Sequence, residues 1–574
     1  MTSSTAATRR RSIPDPPRPL IGRGRAARLA LAFCLLLAIA HALFYWPEVI
    51  DDAYIVFRYA RNYVLGYGIA FNPGGPQVEG CSTLTWFWFS VLGLRLGIHD
   101  LLTWVKLAGL LLHAVTVFGV WRLGLWATRS SAAAILAALL YALNPFAAYH
   151  AVTGLETPLV TALIVAIVIA VAGLRSRPGI ALAGLVPGIL LLLATRPESF
   201  GYAGGILLAG WFLHREDPAT RRRVVIAGVV AVAAMALLLG WRWMTFGALF
   251  PNSVAAKVGG MFAWKKLAGG LVYTVRYFSA LRIPSDVVLY LVCGFALLLR
   301  PLRRNALVAA PVVCAAVFST AVGGDWMHSF RFMVPAAPFI SVLVAAGVLS
   351  VFEPRRWSPG TAAVVRAGTM IALVLTALQL GLIGGVVMSA GHFGRHQKPR
   401  LWPAQLAERL TRGYDARLPG VTRWLLEHVS ARNSVASDDV GFPAWTGDQR
   451  VIDLVGLTDR ELARIVPMRN QPAFTRYLEQ ASPDVVILRA SGGKPADVYD
   501  RMVDRSGVLS RYAAVDSVAT YDIGTFAVIY VRRGVTLDTR PGEVLARYDR
   551  ALRWSPRVTE LRRWRDAYRD AQAR

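Results

Sequence analysis

Apolar residues recur in long blocks along the first two thirds of the chain, separated by short polar turns. A helix needs roughly 20 apolar residues to cross about 30 Å of hydrocarbon, and the first such block runs from Leu29 to Tyr45. Later blocks bring the total to about eleven predicted spans, near residues 103–122, 131–149, 157–174, 178–195, 198–213, 223–244, 284–300, 305–322, 330–352 and 362–390. The pattern predicts a mainly α fold, a polytopic transmembrane helix bundle.

One apolar block, Leu84–Gly97, is too short for a span and contains Arg95. We interpret it as an interfacial or re-entrant helix, and this choice decides on which side every later turn lies. The turns then placed in the cytoplasm are rich in arginine, as the positive-inside rule requires: Arg122/Arg129, Arg175/Arg177, Arg215/Arg221/Arg222/Arg223, Arg300/Arg303/Arg304 and Arg355/Arg356. If this block crossed the membrane, the charge bias would invert.

The two ends of the chain lie on opposite sides in this topology. Residues 1–28 form a basic arm with a single acid, which predicts a cytoplasmic N-terminus. A signal peptide would also begin with a basic arm, but this arm is long and no small-residue cleavage site precedes Glu48. A transmembrane domain of 29–390, with a first outer loop at 48–83, therefore predicts a multi-pass protein of the plasma (inner) membrane.

The composition becomes that of a soluble protein after Ala390, so residues 391–574 are predicted to be an extracytoplasmic α/β domain. Ala404–Val429 has a helical pattern of leucines among charges. Short β-like runs follow at Val451–Val455, Val485–Leu488 and Phe526–Val531.

Composition and charge narrow the functional classes. The 574 residues are 55% hydrophobic and 17% charged, which excludes a soluble or disordered protein. A formal charge of +28 would suggest a nucleic-acid partner in a soluble domain, but membrane topology accounts for it here. The sequence has no P-loop, zinc-ligand spacing or haem motif, so no cofactor is expected, and its four cysteines imply no disulfide framework.

The first outer loop starts with two adjacent acids, Asp51 and Asp52, on a segment with helix start and stop signals. Helical spacing turns Asp52 about 100° toward the apolar side, away from a polar face that holds Asp51, Tyr54, Arg58 and Arg61. Both acids could simply cap the helix. Their position at the end of a membrane span favours a carboxylate with a functional task.

Other polar residues lie further along the first outer loop and in later outer turns. They are Glu79, Glu156, Arg196, Glu198, Asn252, Lys257, Asp325, His328 and Arg331. Helix capping accounts equally well for the acids that stand at helix starts. The basic residues could instead form ion pairs with those acids. Charges at mid-depth among converging apolar helices cost about 2.5 to 3.5 kcal/mol each. Acids able to accept a proton and bases able to hold a phosphate therefore predict a binding site at the outer face.

These residues resemble the start of the actinobacterial terminal β-(1→2)-arabinofuranosyltransferases and, more broadly, GT-C membrane glycosyltransferases. The resemblance rests first on one dense block, Asp51-Asp52-x-x-Ile55-x-x-Arg58-x-x-Arg61-Asn62, Gly66-x-Gly68, Phe71-Asn72, Val78-Glu79 and Ser82-Thr83-x-x-Trp86. Three later segments are similar as well: Thr153–Leu159, Arg196–Glu198 and Gly323–Arg331. The similarity covers roughly residues 48–335.

The resemblance implies an inverting transfer of a sugar, arabinofuranose, from a polyprenyl-phosphate donor to a hydroxyl of a cell-envelope glycan. It implies a carboxylate as general base, and we expect Asp51 in that role with Asp52 in support. Lys257 and Arg331, with Arg58 and Arg196 as weaker candidates, are expected to face the donor phosphate. No metal is required, although an aspartate pair could hold a divalent cation. The outer domain is expected to bind acceptor or shape the exit of the site, or to be a structural cap.

Three alternatives remain at this stage. A mannosyl or other hexosyl transferase of the same class would have the same motifs. A lipid-linked sugar transporter or flippase would carry polar groups through the bilayer midplane and paired broken helices. A glycan-binding or assembly protein would account for the outer domain but not for acids and bases in separate outer loops.

Overall fold

A computed structural model describes residues 24–258, 264–278, 294, 302–325, 327, 329–352, 366–374, 419–519, 525–537, 539–556 and 558–573. Its N-terminal part is helical, with α1 Arg25–Phe44, α2 Asp52–Val64, α3 Leu84–Arg95, α4 Leu101–Thr128, α5 Ser131–Ala142, α6 Pro145–Val152, α7 Thr157–Gly173, α8 Pro178–Thr195, α9 Ser199–Leu213, α10 Pro218–Phe246, α11 Asn252–Val258, α12 Trp264–Phe278, α13 Leu302–Val322 and α14 Ala337–Phe352. A 3₁₀ turn, Arg331–Ala336, leads into α14.

Six of the described helices are long and apolar enough to cross a membrane, and a bent pair makes a seventh candidate. Thr157–Gly173 and Ser199–Leu213 are apolar but shorter. Most of the predicted spans 284–300 and 362–390 lies outside the described residues, so the total of about eleven stays a prediction. The polytopic membrane fold itself is confirmed.

The predicted single span at 131–149 is two helices that meet at 57°. Asn144 caps the second helix by accepting a hydrogen bond from the backbone of Ala147, and Pro145 occupies its first turn. Proline has no backbone N–H to continue the preceding helix, so the bend follows from the Asn-Pro pair.

The short block at Leu84–Gly97 forms the 12-residue helix α3, Leu84–Arg95. At 1.5 Å per residue it is about 18 Å long, shorter than the roughly 30 Å of a bilayer core. The prediction that this block does not span is therefore supported by its length. It packs against α2.

Small residues let the helices of the bundle approach closely. A Cβ at Gly109 in α4 would lie 2.1 Å from the carbonyl oxygen of Ala151, and one at Gly124 would lie 2.9 Å from Cα of Ala134. Such contacts are how helices associate where water supplies no hydrophobic drive. They hold α4 against α5 and α6.

The described C-terminal residues form an α/β domain, as predicted. Its elements are α15 Pro419–His428, β1 Ser434–Ser437, α16 Phe442–Thr446, β2 Arg450–Asp453, α17 Leu462–Ile465, α18 Gln471–Ala481, β3 Val485–Ser491, β4 Lys494–Pro495, α19 Val498–Arg505, β5 Tyr512–Ala519, β6 Thr525–Arg532, α20 Pro541–Trp554 and α21 Thr559–Ala573. All three predicted strands are present, while the first part of the predicted helix, 404–418, lies outside the described residues.

The sheet has the order β2-β1-β3-β6-β5, with β4 paired to β3. β1 is parallel to both β2 and β3, and β6 is antiparallel to β3 and β5. The carboxyl ends of the parallel strands β1 and β2 meet at one edge. The acids Asp438, Asp439 and Asp453 lie at this edge, joined by a connection that contains α16.

The domain packs directly on α2. Phe442 and Trp445 of α16 contact Tyr54 and Phe57 with ring centroids 4.9 Å and 5.8 Å apart. One hydrophobic cluster contains buried residues of α2, α3, α16 and α20. The C-terminal domain and the helices α2 and α3 therefore share a core.

Candidate active site

Asp51 lies beneath the C-terminal domain. Its two carboxylate oxygens accept hydrogen bonds from the backbone N–H groups of Gly441 at 2.7 Å and Phe442 at 2.8 Å. The residue is 8% exposed, whereas Asp52 is only half-buried. The prediction that Asp51 stands open to the outside with Asp52 turned inward is therefore wrong, because the domain covers the polar face of α2.

A third acid belongs to this group. Asp439, just after β1, lies close enough to Asp51 and Asp52 for the charges of these acids to act on one another. Burial, with the neighbouring charge of Asp439, raises the pKa of Asp51 well above its ordinary value. Burial also raises the pKa of Asp439, against the opposing effect of Arg489. No signal in the sequence links Asp439 to the acid pair.

Arg58 is fully buried and all its N–H groups point to protein acceptors. Nε donates to the carbonyl of Phe71 at 2.7 Å and Nη2 to that of Gln449 at 2.9 Å. Nη1 donates to Ala444 and Gly447, and Nη2 also to the side chain of Asn72. No donor remains for a phosphate. The expectation that Arg58 faces the donor is wrong, because Arg58 joins α2 to the outer domain.

Arg61 extends the same contact. It donates to the carbonyls of Trp445 at 2.6 Å and Gly447 at 3.1 Å. Asp51 thus binds the amino end of α16 while Arg58 and Arg61 bind its carboxyl end. An acid at the start and bases at the end of a helix match the direction of its dipole. The spacing of the charges along α2 is therefore explained by docking of α16.

Tyr54 and Asn252 are also interface residues. Tyr54 is buried with its ring edge-on to Phe442. The side-chain amide of Asn252 donates to the carbonyls of Gly456, Leu457 and Asp459 at 2.8 to 3.0 Å. Their expected substrate contacts stay untested, but these bonds show that both residues hold the domain in place.

Glu79 forms a buried bidentate ion pair with Arg242 of α10. Nε of Arg242 lies 2.9 Å from Oε2 and Nη2 lies 3.0 Å from Oε1, with both side chains 2% exposed or less. Sequence reasoning missed Arg242. A lone arginine between two tryptophans in an apolar block was the available signal, since charges within spans are rarely without a partner.

Glu156, Arg196 and Glu198 form a second buried group. Nη1 of Arg196 lies 2.5 Å from Oε1 of Glu156, and its Nε bonds Glu198. The three residues lie at the start of α7, the end of α8 and the start of α9. The structure brings together acids and a base that the sequence placed in separate outer turns.

Arg331 joins this group from the other side. Its Nε lies 2.8 Å from Oδ2 of Asp325, and its guanidinium lies over the ring of Phe332 at 5.0 Å. Arg196 lies over the same ring at 5.6 Å. We call these five residues, Glu156, Arg196, Glu198, Asp325 and Arg331, the ion cluster. His328 and the side chain of Lys257 lie outside the described residues.

The ion cluster keeps unused hydrogen-bonding capacity. Within the described part of the chain, Nη2 of Arg196 and Nη1 of Arg331 have no hydrogen-bond partner. Three buried polar atoms beside the cluster are also unpaired there: Nδ1 of His150, Oγ1 of Thr157 and Oγ of Ser199. Buried polar atoms normally have partners, so the arrangement suits a polar ligand. Sequence reasoning did not name these three as site residues, although Thr157 lies within the Thr153–Leu159 segment.

Short contacts connect the ion cluster to the acid pair. The backbone N–H of Ile50 donates to the carbonyl of Thr153 at 3.1 Å, and Nε1 of Trp86 donates to that of Gly154 at 2.9 Å. The loop before Glu156 therefore rests against the start of α2 and against α3. Both groups belong to one face of the membrane bundle.

A different acid group has the closest carboxyl spacing for a metal among the described residues. Asp438, Asp497 and Asp500 place ligand atoms within 4.8 Å of one another. The guanidinium of Arg489 bonds Asp438 and Asp497, and Asp497 and Asp500 form the capping box of α19. These carboxyl groups are therefore already used, in ion pairs with Arg489 and in capping the start of α19.

Comparisons with known proteins agree with this architecture. A model of a domain of unknown function, DUF8728, matches residues 405–537. No curated protein matches the chain by sequence. The crystal structure of ArnT from Cupriavidus metallidurans bound to undecaprenyl phosphate is 12% identical, with TM-score 0.52, over 88% of this chain and 98% of that one.

A second structure is similar over a smaller share of its own length. The cryo-EM structure of the arabinofuranosyltransferase AftD from Mycobacteria is 14% identical, with TM-score 0.46, over 88% of this chain and 41% of that one. The chain therefore has the fold of the GT-C membrane glycosyltransferases.

Proposed function

We propose that the chain is an inverting membrane glycosyltransferase that moves a sugar from a polyprenyl-phosphate donor to a hydroxyl of a cell-envelope glycan at the outer face. The observation that carries this proposal is the ion cluster: the buried Arg331 and the half-buried Arg196 each have an N–H group that bonds no described residue, and three buried polar atoms beside them are unpaired. Arginine binds phosphate oxygens through parallel N–H bonds. A phosphate bound in the ion cluster would accept hydrogen bonds from the N–H groups of Arg196 and Arg331 that are not bonded to the acids of the cluster.

The fold supports a lipid-linked donor. ArnT has this fold and was solved with undecaprenyl phosphate bound. The ion cluster lies where α7, α8 and α9 start or end, so a phosphate there would leave its polyprenyl tail among apolar helices. The sugar is then activated by its leaving phosphate, and no nucleotide or metal has to take part.

The general base in this proposal is Asp52. Both oxygens of Asp51 are engaged by backbone N–H groups of the outer domain, and Asp52 is the more exposed member of the pair. An acceptor hydroxyl reaches a base only within hydrogen-bond distance. The roles expected of the two acids from the sequence are therefore exchanged in this proposal. Asp51 holds the helix start, and Asp52 accepts the proton of the acceptor hydroxyl.

A transporter is disfavoured by the positions of the buried charges. Within the described spans, Lys106 lies near the start of α4 and Arg242 near the end of α10, both at the predicted outer ends. A transporter would place such groups near the bilayer midplane. The sugar is proposed to be arabinofuranose from the motif resemblance, with mannose or another hexose as the second candidate.

The test is a transfer assay with purified chain in liposomes. One arm supplies polyprenyl-phosphate arabinofuranose with an arabinan acceptor, and the other polyprenyl-phosphate mannose with a mannan acceptor. We expect one donor to be consumed and a new linkage to be visible by NMR, with strongly reduced turnover in Asp52→Asn and a raised donor KM in Arg331→Ala. Movement of the donor between leaflets without transfer in either arm would contradict the proposal and favour a flippase.

A further inference from the structure

Helix α6 holds the turn that leads to Arg331 of the ion cluster. Phe146 and His150 are four residues apart and therefore lie on one face of this helix. The ring of Phe146 packs against that of Phe330 with centroids 5.2 Å apart, and Nε2 of His150 lies 3.2 Å from the carbonyl oxygen of Ser329. Ser329 and Phe330 have φ angles of 69° and 51°, which residues other than glycine rarely adopt. The contacts from α6 therefore keep a strained turn in place.

The bond to Ser329 decides the role of each ring nitrogen of His150. A carbonyl oxygen can only accept, so Nε2 carries the hydrogen. The ring is buried, and no carboxylate among the described residues hydrogen-bonds it. Burying a charge without a bonded partner is costly, so the ring is neutral and Nδ1 has a free lone pair. Nδ1 is therefore a buried acceptor to which no described residue donates.

An acceptor nitrogen at this place discriminates between the two polar parts of a lipid-linked sugar. It cannot bond an ionised phosphate oxygen, because neither atom carries a hydrogen, whereas a sugar hydroxyl can donate to it. The sugar of the proposed donor is bonded directly to the phosphate that Arg196 and Arg331 would hold. Thr157 and Ser199, each next in the chain to a glutamate of the ion cluster, have unpaired hydroxyl groups that can donate or accept. These groups suit the hydroxyls of a sugar.

We propose that His150 recognises the sugar of the lipid-linked donor: its Nδ1 accepts a hydrogen bond from a sugar hydroxyl, while its Nε2 holds the turn before Arg331. This inference rests on the proposed function and adds a specificity-determining residue to it. A buried acceptor that stays unpaired costs free energy. A donor that brings a hydroxyl to Nδ1 is therefore bound more tightly than a lipid phosphate without a sugar.

His214 provides a matched control within the same chain. Its Nε2 lies 3.1 Å from the carbonyl oxygen of Val171, and its Nδ1 is likewise buried and unpaired. His214 follows the last residue of α9, whereas Ser199 is the first residue of that 15-residue helix. At 1.5 Å per residue the two ends are about 22 Å apart. The same bonding pattern thus occurs far from the ion cluster, where no sugar is expected to bind.

The experiment measures, by calorimetry on the full chain in detergent, the affinity for polyprenyl phosphate, polyprenyl-phosphate arabinofuranose and polyprenyl-phosphate mannose. In His150→Gln the side-chain amide can replace Nε2 and keep the bond to Ser329, but nothing replaces Nδ1. We expect unchanged affinity for bare polyprenyl phosphate and about 5- to 10-fold weaker binding of the sugar-bearing donor, the effect of one hydrogen bond.

Two further variants separate recognition of the sugar from support of the turn. In His150→Asn the amide lies near the position of Nδ1 and the bond to Ser329 is lost, so all three lipids should bind more weakly to a similar extent. His214→Gln should bind all three lipids like the wild type. Equal losses for bare and sugar-bearing lipid in His150→Gln, or no loss for either, would overturn the inference.

A second measurement uses only the wild type, in case His150→Gln does not fold. In NMR spectra of chain with isotope-labelled histidine, one unprotonated ring nitrogen should shift on addition of a sugar-bearing donor but not of bare polyprenyl phosphate. If no histidine signal responds to the sugar, the inference is wrong. A sugar-dependent loss in His150→Gln without transfer of either sugar would contradict the proposed function and leave recognition by His150 standing. Normal transfer without a sugar-dependent loss would do the opposite.

Discussion

Asp51 and Gly441 are 390 positions apart in the chain, yet the backbone N–H of Gly441 donates to Oδ2 of Asp51 at 2.7 Å. This bond joins the first outer loop to the C-terminal domain. The bond shows that Asp51, at the start of α2, contacts a domain that is distant in the sequence. This contact changes the roles expected of the neighbouring residues of α2.

The first prediction separates the two acids. Asp52→Asn should lower kcat by about 10² to 10⁴, the usual contribution of a general base, with donor binding intact. Asp51→Asn replaces one acceptor oxygen by a donor facing a backbone N–H, so it should weaken domain docking as well as turnover. Transfer kinetics and hydrogen exchange at residues 441–442 measure both effects. An active Asp52→Asn with normal kcat would remove Asp52 from the mechanism.

The second prediction concerns the donor phosphate. Charge-assisted hydrogen bonds contribute about 1.5 to 3 kcal/mol, so Arg331→Ala should raise the apparent donor KM about 10- to 100-fold. Lysine cannot reproduce a bidentate contact, so Arg331→Lys should be intermediate. Because the single variant leaves Asp325 buried without its partner, the double variant Arg331→Ala/Asp325→Asn is measured beside it. Unchanged donor kinetics in all three variants would place the phosphate elsewhere.

The third prediction is that Glu79 and Arg242 stabilise the fold as a pair. Removing one partner of a buried ion pair costs about 3 to 5 kcal/mol, so Glu79→Gln and Arg242→Met should each lower the melting temperature in detergent. The double variant leaves no unpaired charge and should recover part of the loss. Equal losses that simply add would show that the two side chains act independently.

The fourth prediction concerns Arg58 as the link between α2 and the outer domain. Arg58→Met keeps the side-chain length but leaves several backbone carbonyls buried without donors, at about 1 to 3 kcal/mol for each buried group. Limited proteolysis should then release the C-terminal domain faster than in the wild type. Arg550→Met removes an exposed pair with Asp448 and should change little. A phosphate-binding Arg58 would instead raise the donor KM without loosening the domain.

The fifth prediction tests topology. Ser510 is an exposed residue of the outer domain and Ser176 an exposed residue of a turn that is predicted to be cytoplasmic. In intact cells a membrane-impermeant thiol reagent should label Ser510→Cys but not Ser176→Cys, and permeabilised cells should label both. The unmodified chain serves as the control for its own cysteines. The opposite labelling pattern would invert the proposed orientation.

The membrane fold was predictable from the sequence because the length and apolarity of a span are local properties. The block at Leu29–Tyr45 appears as Arg25–Phe44, and the short block at Leu84–Gly97 appears as a short helix. The sheet was predictable only in part. The apolar runs of β2, β3 and β6 were visible, whereas β1 and β5 contain small and polar residues and draw their order from neighbouring strands.

The sequence by itself predicted that acids and bases gather at one face, since the charge bias of the turns assigns each turn to a side. Only the tertiary structure decided which of them meet. Arg58 contacts the carbonyl of Ala444 across 386 positions, and no periodicity within α2 encodes that partner. Docking of the domain buries Asp51 and leaves Asp52 the more exposed acid, and the domain together with Phe71 and Asn72 occupies every donor of Arg58. In the ion cluster, by contrast, Arg196 and Arg331 pair with acids and each keeps an N–H group that bonds no described residue.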